Sequence, residues 1–240
     1  VMSSAVYLGS EGNMLNPTSA NAKRVRLSSP ILTKEQFYKV KKLYSTKKIK
    51  VDVISICYDH EKETMSEALE RIFVECDIKI NSGASILILS DRNQNGIAIP
   101  SLLVSSAVHQ HLIKCSKRTH VSIVLEAGEP REIHHYATLI GYGVNAIYPY
   151  LVYETIEQYI KRGYIKVDIK TALSNYVDTV TKSITKITSK MGISTIQSYL
   201  GAQIFECIGL NDEFVAQYFT NNWSYKLSII APIHGHHWQC

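Results

Sequence analysis

Polar and charged residues gather directly behind three short apolar runs. Ser90-Asp91-Arg92 follows Ile86–Leu89, Glu126-Ala-Gly-Glu129-Pro-Arg131-Glu132 follows Val121–Leu125, and Pro149-Tyr150 follows Val144–Tyr148. Where such runs are parallel strands, the residues past their carboxyl ends border the crevice in which ligands sit. Asp91, Glu126 and Glu129 with Arg92 and Arg131 would form a cleft suited to an anionic ligand or a partner's loop. As plain loop residues they would be solvated and pair with one another, and no spacing among them demands a reaction. His134 and His135 open the next helix beside Glu126 and Arg131, as a general base would. Adjacent helical residues diverge by about 100°, so only one can face a cleft, and a packed or capping histidine is the plainer use.

Other candidate motifs lack a mechanism. His109-Gln110-His111 has i, i+2 spacing, which points its rings to nearly opposite helix faces, so the two cannot chelate one ion. His234-Gly-His236-His237 with Cys240 offers ligand types in a terminal tail without a second ligand pair at zinc-site spacing. Gly141-Tyr-Gly143 has two glycines and follows a helix rather than a strand, unlike a dinucleotide-binding loop. Lys190-Met-Gly192-Ile-Ser-Thr195 reads as a helix stopped by a left-handed glycine and a cap for the next helix.

The elements that must position these residues alternate. Val51–Cys57 is β-branched, Lys62–Asn81 has helical spacing through Met65, Leu69, Ile72, Cys76 and Ile80, and Ser85–Ser90 is continuously apolar. A helix over Leu102–Ile113 behind Pro100, a strand over Val121–Leu125, a helix over Arg131–Ile140 ended by Gly141, a strand over Val144–Tyr148 and a helix over Tyr153–Lys161 continue the series. This predicts an α/β fold: a parallel sheet of about four βα units, buried on both faces and resembling an incomplete β/α barrel, followed by a helical segment. That segment comprises Thr171–Lys190, Ser198–Cys207 and Asp212–Phe219. Ahead of the sheet lies an irregular Ser-, Asn- and Gly-rich arm with a short basic helix, opened by the capping-box pair Thr33 and Gln36 and running to about Tyr44. The divisions are 1–45 for the arm and helix, 46–165 for the βα core, 166–220 for the helical segment, and 221–240 for a tail left unassigned.

Composition narrows the classes. With 240 residues, 45% hydrophobic and 20% charged, the chain is neither disordered nor collagen-like. The net charge of +5 is concentrated in Lys39–Lys42 and Lys47–Lys50, with no nucleic-acid-binding motif beside it, so nucleic acid is not an expected partner. No apolar run approaches the roughly 20 residues of a membrane span, and the start lacks a signal-peptide pattern. Five widely spaced cysteines fit reduced, packed thiols, which places the chain in the cytoplasm or a plastid stroma rather than outside the cell. A chain that opens on Val1 straight into a patterned segment reads as an excerpt of a longer one.

Taken in order, several segments resemble the central domain of the large subunit of glutamate synthase. They are Ile86-Leu-Ile-Leu-Ser-Asp-Arg92, Ile99-Pro-Ser-Leu-Leu103, Val108-His-Gln-His-Leu112, Gly128-Glu-Pro-Arg-Glu-Ile-His-His135, Leu139-Ile-Gly-Tyr-Gly143, Tyr148-Pro-Tyr-Leu151, Ser189-Lys-Met-Gly-Ile-Ser-Thr195 and Gly201-Ala-Gln-Ile-Phe-Glu206. Tyr7-Leu-Gly9 and Ser28-Ser-Pro-Ile-Leu32 fit the family's start of this domain, so the likeness runs from about residue 5 to 220. Gln110 stands where the family usually has a third histidine, and Asn221-Asn-Trp-Ser-Tyr-Lys226 replaces a Gly-Thr-Pro-Ser-Arg stretch.

The resemblance implies an oxidoreductase parent that makes glutamate from glutamine and 2-oxoglutarate, with NAD(P)H or ferredoxin as electron donor. It implies an amidotransferase domain and an FMN-binding domain on the same chain as partners, and a reductase subunit or domain, or ferredoxin, as a further one. FMN and an iron–sulfur cluster would belong to the parent, with no catalytic, cofactor or metal residue in this fragment and no activity of its own. Asp91, Arg92, Glu126, Glu129, Arg131 and His134 are expected in structural or interdomain roles. So are Lys190, Met191, Ser194 and Thr195, where the chain turns toward the flavin domain. The alternative is a stand-alone α/β scaffold or binding module left after loss of the catalytic domains.

Overall fold

The structure, a computed structural model, describes residues 3–13, 15–43, 49–92, 96–202, 204–219 and 224–225. The arm is more regular than expected. Val6–Leu8 (β1) pairs antiparallel with Val25–Leu27 (β2), Val6 opposite Leu27, and buries Val6, Leu8 and Leu27 while Tyr7 faces out. Strands of three residues carry too short an alternation to be read from sequence. Helix α1 (Lys34–Lys42) starts at the expected capping box, with Thr33 Oγ1 accepting the Gln36 N–H and Gln36 reaching back to Thr33 N–H.

The core follows the expected alternation. In chain order it comprises β3 (Lys50–Ser55), β4 (Cys57–Tyr58), α2 (Met65–Asn81), β5 (Ala84–Ser90), β6 (Ile97–Ala98), α3 (Ser101–Lys114), β7 (Ser122–Glu126), α4 (Ile133–Gly141), β8 (Ala146–Tyr148) and α5 (Tyr150–Lys161). Strands β3, β5, β7 and β8 form a four-stranded parallel sheet in that order, open rather than closed into a barrel. Ile86 to Leu89 and Ile123 to Leu125 are fully buried, because helices cover both faces of the sheet. The antiparallel ribbon of β4 with β6, outside the expected plan, crosses the end of the β3 unit. The arm also extends the sheet: Leu32 N–H donates to Ile147 O and Ile147 N–H to Pro30 O, both at 2.8 Å. These bonds cover β8, whose outer backbone would otherwise be an open edge.

Helix α6 (Ile169–Lys190) begins two residues before the expected Thr171, because Asp168 caps it by accepting the Thr171 N–H at 2.9 Å. It stops where expected, at Gly192 with φ +72°. The expected helix Ser198–Cys207 does not form. A single turn, α7 (Ile196–Tyr199), ends in an extended Leu200, and Cys207–Ile208 is a short strand, β9. Gly201, at φ +72°, is the reason, since a left-handed residue cannot propagate a right-handed helix. Asn211 caps α8 (Asp212–Tyr218), and β9 pairs in parallel with β10 (Ser224–Tyr225). The Lys47–Lys48 pair and the tail histidines with Cys240 lie outside the described residues. None of the four described cysteines is in a disulfide; Cys57, Cys76 and Cys207 are buried and Cys115 is exposed.

Candidate functional site

Parallel register places the last residues of four strands in one row. Ser55 lies beside Ser90, Ser90 beside Glu126, and Glu126 beside Tyr148. Glu126 is only 3% exposed, and its Oε2 accepts a 2.7 Å bond from Ser90 Oγ. Helix α1 lies over this row because Phe37 stacks on Tyr148, rings 4.3 Å apart at 12°. The same helix brings Tyr38 and Lys41 to a cavity of about 370 Å³ shared with Val53, Ser55, Ser90, Arg92 and Glu126. Arg92 stands at its rim, 4.2 Å over the Tyr150 ring and 2.5 Å from Glu154, so α5 holds the guanidinium. Burial opposes that charge, but Glu154 and Glu126 outweigh it and raise the Arg92 pKa.

The neighbouring loop, 127–132, is fixed from several sides. Asp91 Oδ2 accepts the Gly128 N–H at 2.8 Å, and burial raises the Asp91 pKa despite that bond. Tyr150, beside it, is pushed up to about 12 by burial and by the Asp91 charge. Glu129 Oε2 accepts the Ser101 N–H at 2.8 Å, capping α3, whose preceding residue Pro100 has no side chain able to do so. The Tyr136 hydroxyl donates to Pro130 O at 2.9 Å and meets the Tyr176 hydroxyl, which reaches Arg131 O at 3.2 Å. These contacts leave the Arg131 side chain exposed between two cavities of about 280 and 290 Å³.

Of the two adjacent histidines, His135 faces the smaller cavity and its Nδ1 accepts the Glu132 N–H at 3.3 Å, completing a helix cap; His134 points to the surface. Truncating Glu129 removes a charged cap. Glu129→Ala is expected to cost about 1 kcal/mol and lower Tm by about 2–4 °C, with Glu129→Gln losing less. Thermal melting of the three proteins checks this, and equal midpoints would remove Glu129 from the capping role.

Lys190, Met191, Ser194 and Thr195 form a separate group. From Tyr176, which touches the loop, to Lys190 is about 21 Å along α6 at 1.5 Å per residue. There the arm joins them: Ser3 N–H donates to Ser194 O at 2.9 Å and Ile196 N–H to Ser3 O at 3.0 Å, while Thr195 caps α7 and Lys190 and Met191 remain exposed.

The opposite, amino-terminal end of the sheet holds a polar network that spacing did not reveal. Arg118 donates through Nε to His109 Nδ1 at 2.9 Å, through Nη1 to Val121 O at 2.7 Å, and through Nη2 to Gly143 O at 2.9 Å and Asn145 Oδ1 at 3.0 Å. Asn145 Oδ1 also accepts the Ile123 N–H. Burial and then Arg118 lower His109 to about 3, so the ring is neutral and accepts at Nδ1. Gly143 and Gly201 press on this ring from two sides. His109 and His111 do diverge, as their spacing requires; His111 points instead to Asp77.

An iron–sulfur cluster needs several thiolates within reach of one another. Among the described residues the one ligand-like grouping, Asp77, His111 and Cys115, contains a single cysteine, so these residues do not fit such a cluster. Cys76 is pushed up to about 12 by burial, which keeps it a thiol. Among the described residues, no helix is long and apolar enough to cross a membrane.

Residues 1–211 match the family model described as the glutamate synthase central domain. The chain is 43% identical over 228 residues to the glutamate synthase [NADPH] large chain of Bacillus subtilis, covering 93% of this chain and 15% of that protein. It is 36% identical over 241 residues to ferredoxin-dependent glutamate synthase 2 of Synechocystis, with the same coverages of 93% and 15%. Among solved structures, a mutant flavocytochrome b2 with benzoylformate superposes with a TM-score of 0.46 at 12% identity, over 71% of this chain and 38% of that one. The chain thus spans a small fraction of the length of the curated relatives it matches. Over nearly all of its length, it belongs to the glutamate synthase central domain family.

Proposed function

We propose that this chain is the connecting domain of a glutamate synthase, a larger oxidoreductase that makes glutamate from glutamine and 2-oxoglutarate. Its own work is to hold the amidotransferase and flavin centres in place. One observation carries this reading: each strand-end carboxylate accepts a hydrogen bond from the protein's own strand, loop or helix start. Glu126 is bound by Ser90, Asp91 by Gly128, and Glu129 by Ser101. Such groups shape and stiffen a loop rather than attack a substrate. The exposed guanidinium of Arg131 stands on that stiffened loop, and Leu151, Tyr159 and Tyr164 are exposed on α5 and just beyond it, a mixed surface of the kind that contacts a neighbouring domain.

FMN and the iron–sulfur cluster belong to other parts of the parent. A reductase subunit or domain, or ferredoxin, supplies electrons there. NADPH-, NADH- and ferredoxin-dependent relatives all align over more than nine-tenths of this chain, at 43%, 38% and 36% identity, which fits a domain that takes no part in choosing the donor. The setting is the cytoplasm or a plastid stroma, in keeping with a chloroplastic relative in rice.

The test uses the whole parent enzyme. Arg131→Ala is expected to lower glutamine-dependent glutamate synthesis several-fold while glutamine hydrolysis assayed alone continues. Unchanged coupled flux would remove Arg131 from the interdomain contact. Intact mass of the native polypeptide supplies the complementary test: a value several times 27.0 kDa with flavin bound supports the connecting role, and one near 27.0 kDa without flavin contradicts it.

A further inference from the structure

Three side chains of metal-ligand type converge on the outer face of the helical layer, away from the strand-end loops. His111 and Cys115 are four residues apart at the end of α3, so they stand on one face, and Asp77 reaches them from α2. Asp77 Oδ2 lies 3.1 Å from His111 Nε2, Cys115 Sγ lies 3.8 Å from the same nitrogen, and the three ligand atoms are all within 4.8 Å of one another.

A tetrahedral zinc ion, with bonds of about 2.0–2.1 Å to N and O and about 2.3 Å to S, sets neighbouring ligand atoms about 3.3–3.8 Å apart. The sulfur–nitrogen separation of 3.8 Å lies at the upper end of that range, and the oxygen–nitrogen separation of 3.1 Å falls about 0.2 Å short of it, so a small outward turn of the Asp77 carboxylate admits the ion. The surroundings support the set: Phe73 stacks on the His111 ring at 4.6 Å and 3°, fixing its plane. Lys117 donates to Asp77 Oδ1 at 2.8 Å and leaves Oδ2 toward the histidine, the arrangement of an outer partner that orients a ligand. Cys115 is exposed and Asp77 and His111 are partly exposed, so solvent reaches the cluster and can supply a water to the ion.

We propose that Asp77, His111 and Cys115 bind a thiophilic divalent cation of the zinc type, with water in the fourth position. The thiol and imidazole select against magnesium and calcium, which take oxygen ligands. Binding forms metal bonds to Asp77 Oδ2, His111 Nε2 and Cys115 Sγ, and the thiol proton leaves to solvent as the thiolate forms. Without the ion the same residues are a small polar cluster, with Asp77 shared by Lys117 and His111. The ion would tie α2 to α3 more tightly than that pairing does.

The test is titration of the full chain with Co²⁺, followed by displacement with Zn²⁺. A saturable band set of tetrahedral cobalt, including thiolate-to-cobalt charge transfer, is expected from one site. Cys115→Ser should abolish the charge-transfer band, and His111→Gln and Asp77→Asn should weaken binding at least 10-fold, while circular dichroism shows each variant folded. A variant with His236→Ala, His237→Ala and Cys240→Ser should bind as the unaltered protein does. No saturable band from the folded protein, a band that survives Cys115→Ser, or one that disappears with the tail residues would overturn the assignment.

Discussion

Gly143→Ala is expected to cost at least about 4 kcal/mol, enough to lower Tm by about 8–16 °C or to prevent recovery of folded protein. Two effects add. Gly143 has φ +101°, a conformation that L side chains rarely adopt and that strains any replacement. A Cβ there would also lie 2.2 Å from His109 Nδ1 and 2.4 Å from Cγ. The imidazole has nowhere to go: Arg118 holds its Nδ1, and a Cβ on Gly201 would already sit 3.1 Å from its Nε2. Relief therefore requires breaking the Arg118 network. Gly192→Ala is the matched control, because Gly192 also has a positive φ of +72° but faces open space, so strain of about 1–2 kcal/mol is its whole cost. Urea denaturation of the two variants separates the effects, and equal midpoints would refute the steric argument.

Arg118→Met is expected to destabilise by about 3–5 kcal/mol, because His109 Nδ1, Val121 O and Gly143 O lose their Arg118 donor at a buried site and Asn145 Oδ1 keeps only the Ile123 N–H. Its pH dependence is more diagnostic than its size. His109 titrates near 3 in the folded protein, through burial and the adjacent Arg118 charge, against about 6.5 when unfolded. Between those values the unfolded chain binds a proton that the folded chain refuses. Stability from this group is therefore complete above pH 6.5 and is lost as pH falls toward 3, about 2 kcal/mol of it between pH 7 and 5. Without the Arg118 charge the folded pKa rises toward 6.5, so the variant should lose less over the same interval. Urea midpoints at pH 7 and 5 measure the difference, and parallel pH slopes for the two proteins would show that Arg118 does not act on His109.

Periodicity and punctuation made most of the core legible. Apolar runs such as Ile86–Leu89 read as buried parallel strands, and Thr33, Gln36 and Gly192 marked helix ends that the structure keeps. The carboxyl-end residues were also identifiable, because a parallel sheet dictates where they fall. What they do was not legible: Glu129 caps a helix that starts 28 residues earlier, and Asp91 binds an N–H 37 residues later, pairings that only the folded chain creates. The Arg118 network was hidden for the same reason. Its one local trace is Gly141-Tyr-Gly143, whose second glycine yields space to a buried histidine. The helix expected over Ser198–Cys207 failed on Gly201, where close packing against His109 overrides helical composition. Asp77, His111 and Cys115 escaped notice because spacing pairs His111 with His109, whereas its neighbours are one turn on and in another helix.

The arm is translated before the core residues that secure it. Gly9 waits for Ser122, 113 residues later, Leu32 O for Tyr153, 121 later, and Ser29 for Thr181, 152 later. At ribosomal rates of about 5–20 residues per second, the first of those partners follows by about 6–23 s. Until then the arm has only its own two-stranded ladder, which is marginal in water. During synthesis the apolar residues Val6, Leu8, Ile31 and Leu32 are therefore open to chaperones and proteases for many seconds. The cell handles this part of the fold as a nascent chain long before it behaves as part of a domain.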